Sequence, residues 1–137
     1  MRHSIILVGA ALLASTPAFA HHSFAMFDRQ TATTISGTVK EYEWTNPHVW
    51  IHINVPDAQG TLREWSFEMQ SVQQDAAAGW RADTVKPGDT ISIEYHPLKD
   101  GSRGGQLMSA TLSNGTHLGP PAAPAAVFGR RPQANAQ

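Results

Sequence analysis

Two histidines stand together at His21 and His22, and two more lie on either side of Trp50 at His48 and His52. If the chain is cut after Ala20, His21 becomes an amino terminus. One residue then offers two nitrogens to a metal, its α-amine and its Nδ1, closing a six-membered chelate. The α-amine titrates near about 7.7–8, so a metal can displace its proton close to neutrality. One more imidazole, held by the fold, would complete a T-shaped set of three nitrogens. Such tetragonal nitrogen geometry suits Cu(II), which also stands highest in the divalent affinity series. His48 is the first choice for the third ligand, because it follows a rigid Asn46-Pro47 turn. His52, further along the same strand face, and His22, beside the terminus, are the other candidates. The competing reading needs no metal: solvated histidines at a processed end, His48 capping a turn, and His52 paired with a carboxylate on the next strand.

Other chemistry is thinly represented. The chain has no G-x-S-x-G elbow, zinc-helix motif or phosphate loop. Glu64 and Glu68 could form a carboxylate pair, yet on an exposed strand face they read as solubilising charges. An enzyme is therefore not expected. Trp50 could wall off a site or stack on a ligand; the preferred reading covers it with the entering segment that carries Phe24, Met26 and Phe27. His96 and His117 read as surface residues.

These side chains must be placed by strands. Ile35 to Trp44 reads as a first strand whose alternation slips near Glu41, so a β-bulge is expected there. Thr45-Asn46-Pro47 turns the chain. His48 to Val55 is the clearest strand, with Val49, Ile51, Ile53 and Val55 on one face and His48, Trp50, His52 and Asn54 on the other. Leu62 to Met69 is a third strand, with Trp65, Phe67 and Met69 inward and Glu64, Ser66 and Glu68 outward. One register that keeps core opposite core pairs Asn54 with Glu64, His52 with Ser66 and Trp50 with Glu68. Ser71 to Gly79 suits a short helix with a Ser cap and a Gly stop. Thr90 to His96 and Gln106 to Leu112 supply two more strands, across a polar loop over 97–105. Three strands, a helix and two strands is the element order of a five-stranded OB-fold barrel. A β-sandwich with one small helix is the alternative.

The ends and the composition narrow the function classes. Residues 1–20 combine a basic start, an apolar run too short to span a bilayer and a small-x-small cleavage pattern at Ala18-Phe19-Ala20, as a secretory signal does. This predicts a periplasmic or secreted protein with no transmembrane segment after processing. Residues 21–118 then form one domain, and the proline- and alanine-rich stretch 119–137 reads as a disordered tail. The absence of cysteine excludes disulfides and thiolate metal sites. Setting aside Arg2 in the leader, with Arg130 and Arg131 in the tail, leaves seven basic side chains against eleven acidic ones. That balance argues against nucleic acid as a partner.

His21-His22-Ser23-Phe24, Gly37-Thr38-Val39, Glu43-Trp44-Thr45-Asn46-Pro47-His48-Val49-Trp50, Gly79-Trp80 and Lys86-Pro87-Gly88-Asp89 together resemble a family of small secreted bacterial proteins, common in proteobacteria and classed as a domain of unknown function. The resemblance covers most of His21 to Leu118. It implies export and a single domain, and it implies no activity. The residues themselves point to a metal carrier or sequestering protein, with copper as the cofactor. The rival is a non-catalytic envelope module that meets a partner protein, peptide or glycan without metal. A copper oxidase would share the chelate but would also need an open coordination position and a substrate surface.

Overall fold

The computed structural model describes residues 24–119. The expected leader 1–20, His21, His22 and the tail from residue 120 onward lie outside the described residues. A 3-10 turn at Phe24–Met26 leads into β1 (Thr33–Glu43), β2 (Trp50–Pro56), β3 (Leu62–Glu68), α1 (Val72–Ala77), β4 (Thr90–Pro97), β5 (Gly104–Leu112) and β6 (His117–Leu118). The strands run in the order β3-β2-β1-β4-β5-β6, and a parallel pairing of β3 with β5 closes five of them into a barrel. The expected OB-fold-like barrel is the observed architecture, and an open two-sheet sandwich is not. Among the described residues no helix is long and apolar enough to cross a membrane.

Alternation of side chains builds the core. Val39, Ile51, Ile53, Phe67, Ile91, Ile93 and Tyr95 fill the barrel, joined by Val49, Met69, Trp80 and Val85 from the connections. Phe67 meets Tyr95 edge to face at 4.8 Å, a favoured aromatic geometry. The slip read near Glu41 is a bulge: Val39 pairs with Ile53 but Glu41 with His52, leaving Lys40 as the extra residue. The bulge puts Lys40 and Glu41 on the outer face together and returns Tyr42 to the inner phase. The register of β2 against β3 pairs Trp50 with Glu68, His52 with Ser66 and Asn54 with Glu64, as read from the sequence.

α1 begins at a Ser71 cap completed by Gln74, whose side chain reaches back to the cap, a reciprocal capping box. Asn46 Oδ1 accepts the Val72 N–H at 3.1 Å, so the turn before His48 is tied to the same helix end. One strand escaped the sequence reading. Asn114-Gly115, with Gly115 at φ 85°, turns the chain into the two-residue β6 beside β5. Asn-Gly is a strong hairpin signal, but the partner strand is too short to show alternation.

Candidate functional site

His48 sits just ahead of β2, one residue outside the ladder, where Val49 exchanges backbone hydrogen bonds with Gln70 and Met69. Its Nδ1 lies 3.1 Å from the Met69 carbonyl and 3.1 Å from Glu68 Oε1. A carbonyl can only accept, so Nδ1 carries a proton, and in the neutral ring Nε2 has the lone pair. No described residue hydrogen-bonds Nε2, and the side chain is 35% exposed. An imidazole whose far nitrogen is held by a carbonyl and a carboxylate has the arrangement that orients metal-binding histidines.

Glu68 differs from the expectation. Its strand phase points it out of the barrel, yet it is 6% exposed. It is a buried acceptor beneath His48 rather than a solubilising charge. The clamp exists because Trp50 pairs with Glu68 across the β2–β3 ladder, bringing the preceding turn over the carboxylate.

His52 stands apart from this arrangement. Its Nδ1 contacts Ser66 Oγ at 2.8 Å and Glu64 Oε1 at 3.5 Å, and its Nε2 contacts Glu43 Oε1 at 3.2 Å. Both nitrogens are committed to neighbouring strands, the cross-strand role weighed above as the alternative to ligation. Glu64 is in turn ion-paired with Lys40, which holds its carboxyl below the ordinary range. Trp50 is half-buried and stacks on His52, with ring centroids 6.2 Å apart. The entering segment packs elsewhere: Phe27 is buried opposite Leu98 on the extension of β4, and Met26 is exposed.

His96 was read as a surface residue, and the structure adds a contact there. It is half-buried, and its Nδ1 donates to the Thr31 carbonyl at 2.7 Å, tying the entering segment to β4. Register places Glu68, Gln106 and His96 in one row across β3, β5 and β4. His117 is exposed on β6, away from this row. Among the described residues, no group of three or more His, Asp or Glu side chains is arranged to hold a metal ion. His48 presents one nitrogen, and the described residues do not gather a three-donor set around it.

Asp75 on α1 is a second buried carboxyl, 6% exposed. Its Oδ2 accepts the Gln70 N–H at 3.1 Å. Burial pushes its pKa up to about 6, opposed by that hydrogen bond and by His48. The folded protein therefore holds this proton more tightly than the unfolded chain does. The resulting stabilisation is complete below about pH 3.8 and is lost as pH rises through about 6. Asp75→Asn keeps an oxygen for Gln70 without the buried charge. Thermal unfolding at pH 7.5 should show the variant more stable by about 1 kcal/mol. The gain should vanish when both proteins are melted near pH 4.

Two features define the class of this molecule: a small closed OB-type barrel, and an imidazole clamped on its outer surface by a buried carboxylate. The chain belongs to a family of unknown function, DUF6152, whose model matches residues 10–108. The match spans His21, His22, His48 and His52. Two solved structures similar to it are of the mitochondrial single-stranded DNA binding protein Rim1 from S. cerevisiae, one of them selenomethionine-labelled. They are 13% and 14% identical to it, each over 61% of this chain and 93% of the other, with a TM-score of 0.46 in both cases. No curated protein matches the chain.

Proposed function

We propose that the processed chain is an exported, periplasmic protein that binds a metal ion, copper, through the His21 amine and imidazole together with His48 Nε2. The observation that carries this reading is the state of His48. Its Nδ1 is occupied by Met69 and Glu68, and its Nε2 has no partner among the described residues. Two nitrogens from an amino-terminal histidine and one from His48 would form the three-nitrogen set that Cu(II) favours. His22 is the candidate for a fourth contact; His52 could join only by releasing Glu43 or Ser66.

The entering segment is about as long as its distance from β3 at Ser66, with the step from Ser66 to Glu68 still to be covered. Phe27, Leu98, Gly104 and Ser66 are successive neighbours across the sheet. At about 4.8 Å per spacing, about 15 Å separates the entering segment from β3, the strand that carries Glu68. Six residues lead from His21 to Phe27. With a 3-10 turn among them they span about 16 Å, before either imidazole side chain is counted. The outer face around His52, with Glu43 of β1 and Glu64 of β3 exposed on it and Lys40 paired to Glu64, has no excess of basic groups to hold phosphates, so nucleic acid is a poor partner for it.

Titrating the processed protein with Cu(II), followed by visible and electron spin resonance spectra, tests the proposal. One equivalent should give a tetragonal, nitrogen-rich signal. A spectrum of free or oxygen-bound copper at one equivalent would refute it. The partly exposed Trp50 stacked on His52 is what favours the metal-free envelope module. Metal analysis of protein recovered from its native compartment separates the two readings, because the module predicts no copper.

A further inference from the structure

A cleft of about 300 Å³ opens between α1 and the end of the barrel, lined by Gln70, Asp75, His96, Gln106, Leu107 and Met108 among others. Its size lies at the small end of ligand pockets. Gln106 is more than nine-tenths buried, and no described residue hydrogen-bonds its carboxamide. No fully enclosed side-chain oxygen or nitrogen lacks a partner among the described residues, so that amide reaches the cleft rather than being sealed away. Asp75 is equally buried, takes a single hydrogen bond, from Gln70, and feels the charge of His48 without a salt bridge to it. His96 donates from Nδ1 to Thr31, so in the neutral ring Nε2 can accept.

The lining thus holds three acceptors, a carboxylate, an amide oxygen and, in the neutral ring, an imidazole nitrogen, beside the donors of Arg29 and the glutamine amides. A buried carboxylate without a cation is costly, and the cost is offset when a cation with N–H donors sits against it. Leu107 and Met108 supply the apolar surface that a short methylene chain would cover. Arg29, an exposed lining residue, has an interaction of its own.

We propose that this cleft binds a primary alkylammonium group, that is, a small organic amine with a short hydrocarbon body. Asp75 would take the charge, Gln106 Oε1 and His96 Nε2 would accept its remaining N–H bonds, and Leu107 and Met108 would hold the chain. None of this depends on copper, so the experiment is run with a chelator present. The processed protein is titrated with n-butylamine and 1,4-diaminobutane, and with n-butanol and butyrate as isosteric controls, while the Gln106 side-chain amide and the backbone amides of Leu107 and Met108 are followed by NMR. Both amines should bind saturably and shift those resonances, and at least tenfold more tightly than either control. Asp75→Asn, checked for its fold by circular dichroism, should weaken the amines at least tenfold, and Gln106→Leu should weaken them about fivefold. Equal binding of butanol and butylamine, no saturation, or undiminished affinity in folded Asp75→Asn would each overturn the assignment.

Discussion

The processed protein carrying His48→Ala should bind Cu(II) at least a hundredfold more weakly than the wild type. His48 is the one described imidazole beside the β2–β3 ladder whose outward nitrogen is unengaged while its inner nitrogen is clamped, by Met69 and Glu68. Removing it would leave the proposed His21 chelate without a third donor held by the fold. A hundredfold loss corresponds to about 2.7 kcal/mol. His52→Ala should change the affinity less than threefold, because that ring serves Glu43, Ser66 and Glu64. Glu68→Gln keeps an acceptor but removes the charge behind the imidazole, and a loss of about tenfold is expected, as for other groups that orient a ligand. Competition titrations against a chelator of known affinity give all three values. Equal losses for His48→Ala and His52→Ala would contradict the assignment.

The second large effect concerns closure of the barrel. At the β3–β5 seam, Ser66, Phe67 and Glu68 pair with Gly104, Gly105 and Gln106. A Cβ on Gly105 would lie 2.1 Å from the His96 carbonyl oxygen, and one on Gly104 2.1 Å from the Ser66 carbonyl oxygen. Gly104 also has φ 150°, which disfavours any side chain. In both cases the obstacle is backbone, so relief requires the strands to separate. Gly105→Ala should therefore destabilise the protein by about 3 kcal/mol or more in urea melts, at the upper end of overpacking effects. Loosening the seam also disturbs Glu68 and Gln106, so the same variant should weaken copper and amine binding together. A variant as stable as the wild type would mean that the seam is not a closed ladder.

Much of this scaffold was legible because β2 and β3 have strict alternation. Val49, Ile51 and Ile53 against Trp65, Phe67 and Met69 settle parity, and parity settles which side chains face His52. The bulge at Lys40 was legible for the same reason: Ile35 and Val39 are out of phase with Tyr42 and Trp44. What alternation cannot reveal is depth. Glu68 obeys the outward phase, but the turn carrying His48 folds over it, a tertiary event without local periodicity. His96 was missed similarly, since its partner is a backbone carbonyl at Thr31, far away in sequence. The Asp75 cleft depends on how α1 sits against the end of the barrel, and a six-residue helix carries too little pattern to reveal that.

The most direct measurement of the central claim compares two chains, one beginning at His21 and the other with a single alanine ahead of it. If an amino-terminal chelate holds the metal, the extended chain should lose the nitrogen-rich tetragonal spectrum and bind Cu(II) at least a hundredfold more weakly, with its melting temperature unchanged. Identical spectra and affinities for the two chains would contradict the claim, whatever His48 does.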